Sequence, residues 1–213
     1  MRTFLRLKHQ RHTRLPDEFQ GEELRYPEEL VAVFLRHYTR PGAIVLDPFA
    51  GYGTTLTVAE AMDRAGYGVE TDLRRVRYAR TLLRHPTRLI HGDAREIATY
   101  GLPPIDFCMT SPPFMAHNEP ENVLSGEQRP DAYAAYLHDF TAIYAGIAPL
   151  LRPGARAVLE VSNLKEPGGT TMLAWDVARA VAQVLVFEGE VVIGWDQYAY
   201  GYDHSYCLVF RAP

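Results

Sequence analysis

The chain has 213 residues, 47% of them hydrophobic and 23% charged, with a formal net charge of −4. That length suits one large domain with a real core, and the balance is globular rather than disordered or fibrous. No apolar run reaches the roughly 18 residues of a membrane span, and the first residues lack the apolar stretch of a signal peptide. Cys108 and Cys207 each lie in an apolar run and read as buried reduced thiols, so a cytoplasmic protein without membrane contact is expected.

Charge is unevenly spread. Residues 1–14 hold Arg2, Arg6, Lys8, Arg11 and Arg14 with no acid; of the 22 basic residues, 17 then remain against 26 acidic ones. A basic arm on an acidic body can reach phosphates, or it can be a solvated terminus. Residues 1–25 therefore read as arm and connector, with one domain over 26–213.

Tyr26-Pro27-Glu28-Glu29 opens a helix: proline suits the first turn and the acids suit the positive end of the dipole. Leu30, Val31, Phe34, Leu35 and Tyr38 form its apolar face, and Arg40-Pro41-Gly42 stops it. Ala43 to Leu46 is a short apolar strand, and Leu56 to Arg64 returns to helical spacing. Between them lies Asp47-Pro48-Phe49-Ala50-Gly51-Tyr52-Gly53-Thr54-Thr55. Glycines at a strand-to-helix turn let a ligand approach the backbone. Amides at the helix start can face polar or anionic groups, and Thr54 or Thr55 can cap that start.

Gly66 to Asp72 is the second strand, ending in acids. Glu70 lies about 20 residues past the glycines, where an acid accepts from ribose hydroxyls in dinucleotide folds; Asp72 is second choice, or a cap for the helix Leu73 to Arg84. Thr87 to His91 is the third strand. Asp93, after it, can make an Asx turn or cap a short helix near Arg95 to Tyr100. Ile105 to Thr110 is the fourth strand and delivers Ser111-Pro112-Pro113-Phe114 at its C-terminal end, the edge where open α/β sheets bind ligands. Met115 to Pro130 is polar and long enough to contact substrate. A helix over Asp131 to Leu151, a strand at Ala155 to Val161 and a helix at Thr170 to Phe187 follow. Glu190 to Trp195 and Ser205 to Phe210 close the chain as a hairpin around residues 200–204, with His204 as a turn residue. The histidines are scattered and no cysteines are closely spaced, so no metal site is expected.

Asp47 to Thr55 resembles motif I of the amino-group DNA methyltransferases, which bind S-adenosylmethionine, and Thr110 to Phe114 resembles their Ser-Pro-Pro-Tyr tetrapeptide. The segment opened by Tyr26 is similar to their motif X. The resemblance runs from about Tyr26 to Phe210. It implies an α/β, Rossmann-like methyltransferase fold: a mostly parallel seven-stranded sheet with a C-terminal antiparallel hairpin and helices on both faces. It implies a cofactor held by Tyr26, Asp47, Pro48, Phe49, Gly51, Gly53, Thr54, Thr55 and Glu70, with Asp93 accepting from the adenine amino group and the Ala94 amide meeting the ring.

The resemblance also makes Ser111, Pro112, Pro113 and Phe114 catalytic. An exocyclic amine is a poor nucleophile because its lone pair is delocalised into the base. Acceptors on Ser111 Oγ and the carbonyl beside Pro112 can hold the amino protons so that nitrogen pyramidalises, and proline keeps the carbonyls aimed. Phe114 offers a face for stacking. No strong base is required, since the sulfonium is an excellent methyl donor and the proton can leave afterwards. Within the family, serine leans toward cytosine N4 in DNA. RNA base methylation, as in tRNA guanine-N2 enzymes, and a non-catalytic subunit are the alternatives. Phe114 replaces the family's tyrosine, and only residues 115–130 and the termini remain for target recognition. A partner (a specificity subunit or a homo-oligomer), a loosely specific enzyme, or a structured RNA substrate would each account for that.

Deleting residues 1–14 is expected to weaken nucleic-acid binding and flatten its dependence on salt. A titration series between 50 and 200 mM salt tests this; an unchanged slope removes the arm from the interface.

Overall fold

A computed structural model of the chain describes residues 1–19, 21, 25–199 and 202–213. Its frame is an eight-stranded sheet in the order β1-β9-β10-β6-β5-β2-β3-β4. The strands are β1 (Phe4–Leu7), β2 (Ile44–Asp47), β3 (Ala65–Glu70), β4 (Leu89–His91), β5 (Ile105–Thr110), β6 (Leu151–Val161), β9 (Val186–Ala199) and β10 (Tyr202–Arg211). A separate small hairpin pairs β7 (Leu164–Glu166) with β8 (Gly169–Thr171). All neighbours in the main sheet pair in parallel except those of β10, which runs antiparallel to β6 and β9. The expected closing hairpin is therefore present, although Tyr200 and Gly201 lie outside the described residues.

The sheet has one strand more than the seven expected. Phe4–Leu7 joins its edge beside β9, from Phe4 opposite Val192 to Leu7 opposite Trp195. Leu5 and Leu7 are half-buried while Phe4 and Arg6 stay exposed, the alternation of an edge strand with one covered face. The cations around it obscured this short apolar pattern. Part of the arm thus belongs to the sheet, and the domain takes in residues before Tyr26.

Helices cover both faces. The first face carries α1 (Glu28–Tyr38) and α2 (Thr54–Ala61), whose Leu30, Phe34 and Val58 meet Val45, Phe107, Met109, Val158 and Val209. On the second, α4 (Ala132–Ile147) and α5 (Leu173–Val181) bring Tyr136, Phe140, Leu173 and Val177 against Cys108, Leu159, Leu208 and Phe210. Strand residues alternate between the two clusters, so β5, residues 157–161 of β6 and residues 207–210 of β10 are buried on both faces and read as near-continuous apolar runs. α3 (Leu73–Leu82) closes a smaller cluster through Val76 and Ala79 against Leu56 and Leu89. Cys108 and Cys207 are buried and free. Among the described residues no helix is long and apolar enough to cross a membrane. The helix expected over Thr170 to Phe187 is shorter, because β8 takes its first residues and β9 its last.

Two glycines in β3 fix how closely α2 approaches the sheet. A Cβ on Gly66 would stand 2.9 Å from the Leu56 Cα, and one on Gly68 would stand 2.9 Å from the Ala50 Cβ. A backbone atom cannot yield as a side-chain tip can. Gly66→Ala should therefore lower stability by about 1–3 kcal/mol in urea unfolding; an unchanged midpoint would mean that α2 is free to shift outward.

Candidate active site

The order of the sheet reverses between β2 and β5: the chain winds outward through β3 and β4, then returns to build β5 and β6 on the other side. The crevice beyond the C-terminal strand ends at such a reversal is where open α/β sheets hold ligands. A cleft of about 550 Å³ lies there, within the usual size of a small-molecule site.

The turn after β2 forms its floor. Pro48, Phe49 and Gly51 line the cleft, as does Tyr26 ahead of α1. Asp47 does not wall this cleft; it lines, with Thr54, a recess of about 40 Å³ beside it. The Asp47 carboxylate is buried and accepts from Thr55 Oγ1 at 2.5 Å, Thr110 Oγ1 at 2.6 Å, the Phe49 amide at 3.0 Å and Tyr26 OH at 3.4 Å. The Tyr26 hydroxyl also meets Thr55 Oγ1. Four segments of the chain thus converge on one carboxylate. Thr54 and Thr55 do not cap α2; the capping position is Gly53, with φ of 82° and no side-chain bond. Gly53 is needed there for its left-handed backbone and because a Cβ would meet Ala79 Cβ at 3.1 Å.

The two acids at the end of β3 and just past it divide their work. Glu70 lines the cleft, its carboxylate accepting from the amides of Gly51 and Asp72, both at 2.8 Å. Asp72 caps α3, accepting from the Arg74 amide at 2.7 Å. Asp93 and Ala94 also line the cleft. The Asp93 side chain takes the cap role that the sequence left open, accepting from the Arg95 amide at 2.8 Å and its guanidinium at 2.6 Å. Burial works against its charge, but Arg95 outweighs that and holds the carboxyl below its ordinary value.

Ser111, Pro112, Pro113 and Phe114 form the wall opposite. The loop is anchored from α4, where the buried Tyr136 hydroxyl donates to the Pro113 carbonyl at 2.9 Å. Residues 115–130 fold over this wall in tight turns held by Asn122, which is buried and donates to Asp139 Oδ2 at 2.8 Å.

Sequence reasoning missed the remaining wall. Ser111 Oγ donates to Glu160 Oε2 at 2.9 Å, and Glu160 is a buried carboxylate near the end of β6 that lines the cleft. Beyond it stand Ser205 and Trp195, whose indole Nε1 donates to Ser205 Oγ at 3.0 Å. His204 is in this wall too, its ring held by Asp203 and by the Tyr206 hydroxyl, both at 3.1 Å, so it belongs to β10 rather than to a turn. His9 and Arg11 reach the cleft because β1 carries them to the edge of β9. The one available signal was Glu160 itself, an acid inside the otherwise apolar Ala157-Val158-Leu159-Glu160-Val161 run, since carboxylates are seldom buried without a reason. Among the described residues no cluster of three His, Cys, Asp or Glu side chains is placed to hold a metal ion.

Burial pushes the Asp47 carboxyl up to about 6, and its four donors pull the other way. A carboxyl raised in the folded state binds its proton more tightly there than when unfolded. The stability it contributes is full below the unfolded value of ~3.9 and is lost as pH rises through about 6. Relative to Asp47→Asn, the wild type should lose up to about 3 kcal/mol between pH 4 and pH 7 in paired urea unfolding curves. A difference flat across that range would mean that Asp47 titrates as an ordinary surface acid.

The model of a DNA methylase family, the N6 and N4 methyltransferases, matches residues 4–81. The type II methyltransferase M.BglII of Bacillus subtilis is 45% identical over 47 residues, which are 22% of this chain and 13% of that protein. The DNA adenine methyltransferase YhdJ of Escherichia coli K12 is 37% identical over 84 residues, 39% of this chain and 28% of that protein. These matches span less than a third of either relative. Among solved structures, TrmN from Thermus thermophilus superposes with a TM-score of 0.66 at 21% identity, over 95% of this chain and 55% of TrmN. A 1,6-didemethyltoxoflavin-N1-methyltransferase from Burkholderia thailandensis, with S-adenosylhomocysteine bound, superposes at 0.58 and 17% identity, over 92% of this chain and 81% of its own. The fold of this chain is the Rossmann-like fold of the S-adenosylmethionine-dependent methyltransferases.

Proposed function

We propose that the protein is an S-adenosylmethionine-dependent methyltransferase acting on an exocyclic amine of a nucleobase, with N4 of DNA cytosine as its first target. The observation that carries this reading is the meeting of the Ser-Pro-Pro-Phe wall with Pro48, Phe49, Gly51 and Glu70 in one cleft at the reversal of the sheet.

The donor set fits the cofactor. Glu70 already accepts two amides, and its carboxylate has further acceptor sites for ribose hydroxyls. Gly51, with open space where a Cβ would be, leaves the floor accessible to the rest of the molecule. Asp93 keeps acceptor capacity beyond its bonds to Arg95 for an adenine amino group, and Ala94 presents its amide beside it. Asp47, Gly53, Thr54 and Thr55 serve this site by shaping its floor rather than by touching the ligand. When bound, S-adenosylmethionine supplies a methyl group on a sulfonium, which leaves as a neutral thioether.

The protein's own work is to orient the amine. Ser111 Oγ and the carbonyl next to Pro112 accept the amino protons, so the nitrogen lone pair turns toward the methyl group. Phe114 stacks on the base, an interaction of about 1–3 kcal/mol in comparable systems. Holding the reacting atoms about 3–3.5 Å apart and in line contributes much of the rate. A base in a duplex must be flipped out to reach such a cleft.

Incubation with methyl-labelled S-adenosylmethionine and either unmethylated DNA or total RNA, followed by mass analysis of the nucleosides, tests the reading. Label in N4-methylcytosine is the expected outcome. Label in N6-methyladenine or in RNA would keep the reaction and change the target, and loss of cofactor binding would leave a fold without this chemistry. Ser111→Ala should lower turnover about ten- to a hundredfold and Phe114→Ala by the equivalent of about 1–3 kcal/mol, both with unchanged cofactor affinity. Full turnover in both variants would move the active site elsewhere.

A further inference from the structure

We propose that Glu160 orients the Ser111 hydroxyl for the substrate amine and, through that hydroxyl, takes up the proton released by methyl transfer. The proposal rests on the reading above and extends it, because nothing in the Ser-Pro-Pro-Phe motif requires a carboxylate behind the serine.

The hydrogen-bond directions follow from what each group can donate. The Trp195 indole is a donor only, so Ser205 Oγ accepts from it at 3.0 Å and turns its own proton toward Glu160. Ser111 Oγ gives its proton to Glu160 Oε2 at 2.9 Å. With that proton committed, both lone pairs of Ser111 Oγ are left to accept from an amine. Without Glu160 the hydroxyl would rotate freely and could present its proton to the amine, which is the wrong polarity. Glu160 is only 8% exposed, so its hydroxyl partners replace water as its solvation. It acts through Ser111 and is a positioning residue.

The proton balance closes within the cleft. After transfer the methylated nitrogen carries a positive charge and one proton too many. Its N–H bond breaks as an O–H bond forms at Ser111, while the original Ser111 O–H bond breaks and its proton forms an O–H bond with Glu160. The products are a neutral methylated amine, a neutral serine and a protonated carboxyl, which then passes its proton to water in the cleft. Burial raises the Glu160 carboxyl above its ordinary value, which makes it the better proton acceptor, while the Ser205 and Ser111 hydroxyls lower it.

Among the described residues, Tyr26 ahead of α1 and Cys207 on β10 interact with Glu160, Asp47 is bonded to that same Tyr26, and His9, Arg11, Arg25, Glu70, Arg75, Asp93, Glu119 and His204 line the same cleft. Burial holds the Tyr26 hydroxyl and the Cys207 thiol well above their ordinary values, so both stay neutral where Glu160 titrates.

The test compares wild type with Glu160→Gln, which keeps the shape and an acceptor for Ser111 but cannot take a proton, in turnover against pH and in infrared spectra without ligands. In the wild type, turnover should rise with pH through the Glu160 titration. In Glu160→Gln that acid limb should vanish and turnover should fall about ten- to a hundredfold, with cofactor affinity unchanged. In the infrared, the carboxyl band lost in Glu160→Gln should titrate at higher pH in Ser111→Ala, because the charged form loses a donor. Unchanged turnover with the acid limb intact in Glu160→Gln, or a band that ignores Ser111→Ala, would overturn the proposal. Wild-type protein that binds cofactor but labels no nucleic acid would defeat the methyl-transfer reading, and the infrared shift would still decide the Glu160–Ser111 pairing.

Discussion

The site depends on one buried carboxylate. Asp47 stands at the end of β2, where the polypeptide must leave the sheet, turn and enter α2 within seven residues. Two threonine hydroxyls, a backbone amide and a tyrosine hydroxyl converge on it. They come from α2, from the last residue of β5 and from the segment ahead of α1, so the carboxylate sets the spacing of strands and helix at the point where the cleft opens. A buried charge is costly unless its lone pairs are filled, and here the filling is what locks the turn. The floor of the cleft is rigid because its underside is polar and satisfied.

A second layer of polar groups supports the opposite wall in the same manner. Tyr136 holds the proline loop from α4, Asn122 pins the segment over it, and Glu160 gathers hydroxyls from two strands. Each is buried and bonded, so none is free to rearrange when a ligand enters. Groups aimed before the ligand arrives need no reorganisation during the reaction, the condition under which fixed dipoles are most effective.

Much of this was legible in the sequence, and the reasons are local. Strands β2 and β5 and the second half of β6 are near-continuous apolar runs because both faces are covered, and glycine, proline or an acid marks where the chain turns. The turn after β2 and the proline loop are contiguous in sequence, so their residues could be named in advance. Asp72 and Asp93 each offered a cap among their roles, and only the positions of the Arg74 and Arg95 amides show that both side chains take it. What stayed hidden was built across distance. Glu160, Trp195, Ser205 and His9 come together only through the pairing of β6 with β10, β10 with β9, and β9 with β1. No spacing rule reports that meeting, and five nearby cations masked the alternation of Phe4-Leu5-Arg6-Leu7.

The pairing of Phe4 with Val192 has a temporal consequence. It joins residues from opposite ends of the described chain, and the loop it closes is among the longest the chain can form, a contact that rewards the polypeptide late. During synthesis β2 to β5 and their helices can assemble while the first strand still has no neighbour, because β9 has not left the ribosome. Through that interval Phe4–Leu7 is an unpaired edge with exposed backbone donors and acceptors, the kind of segment that seeks a partner in other chains. The arginines and lysine flanking it keep the waiting segment repelled from copies of itself. The same cations that hid the strand from a reading of the sequence thus act as its escort until the sheet is complete.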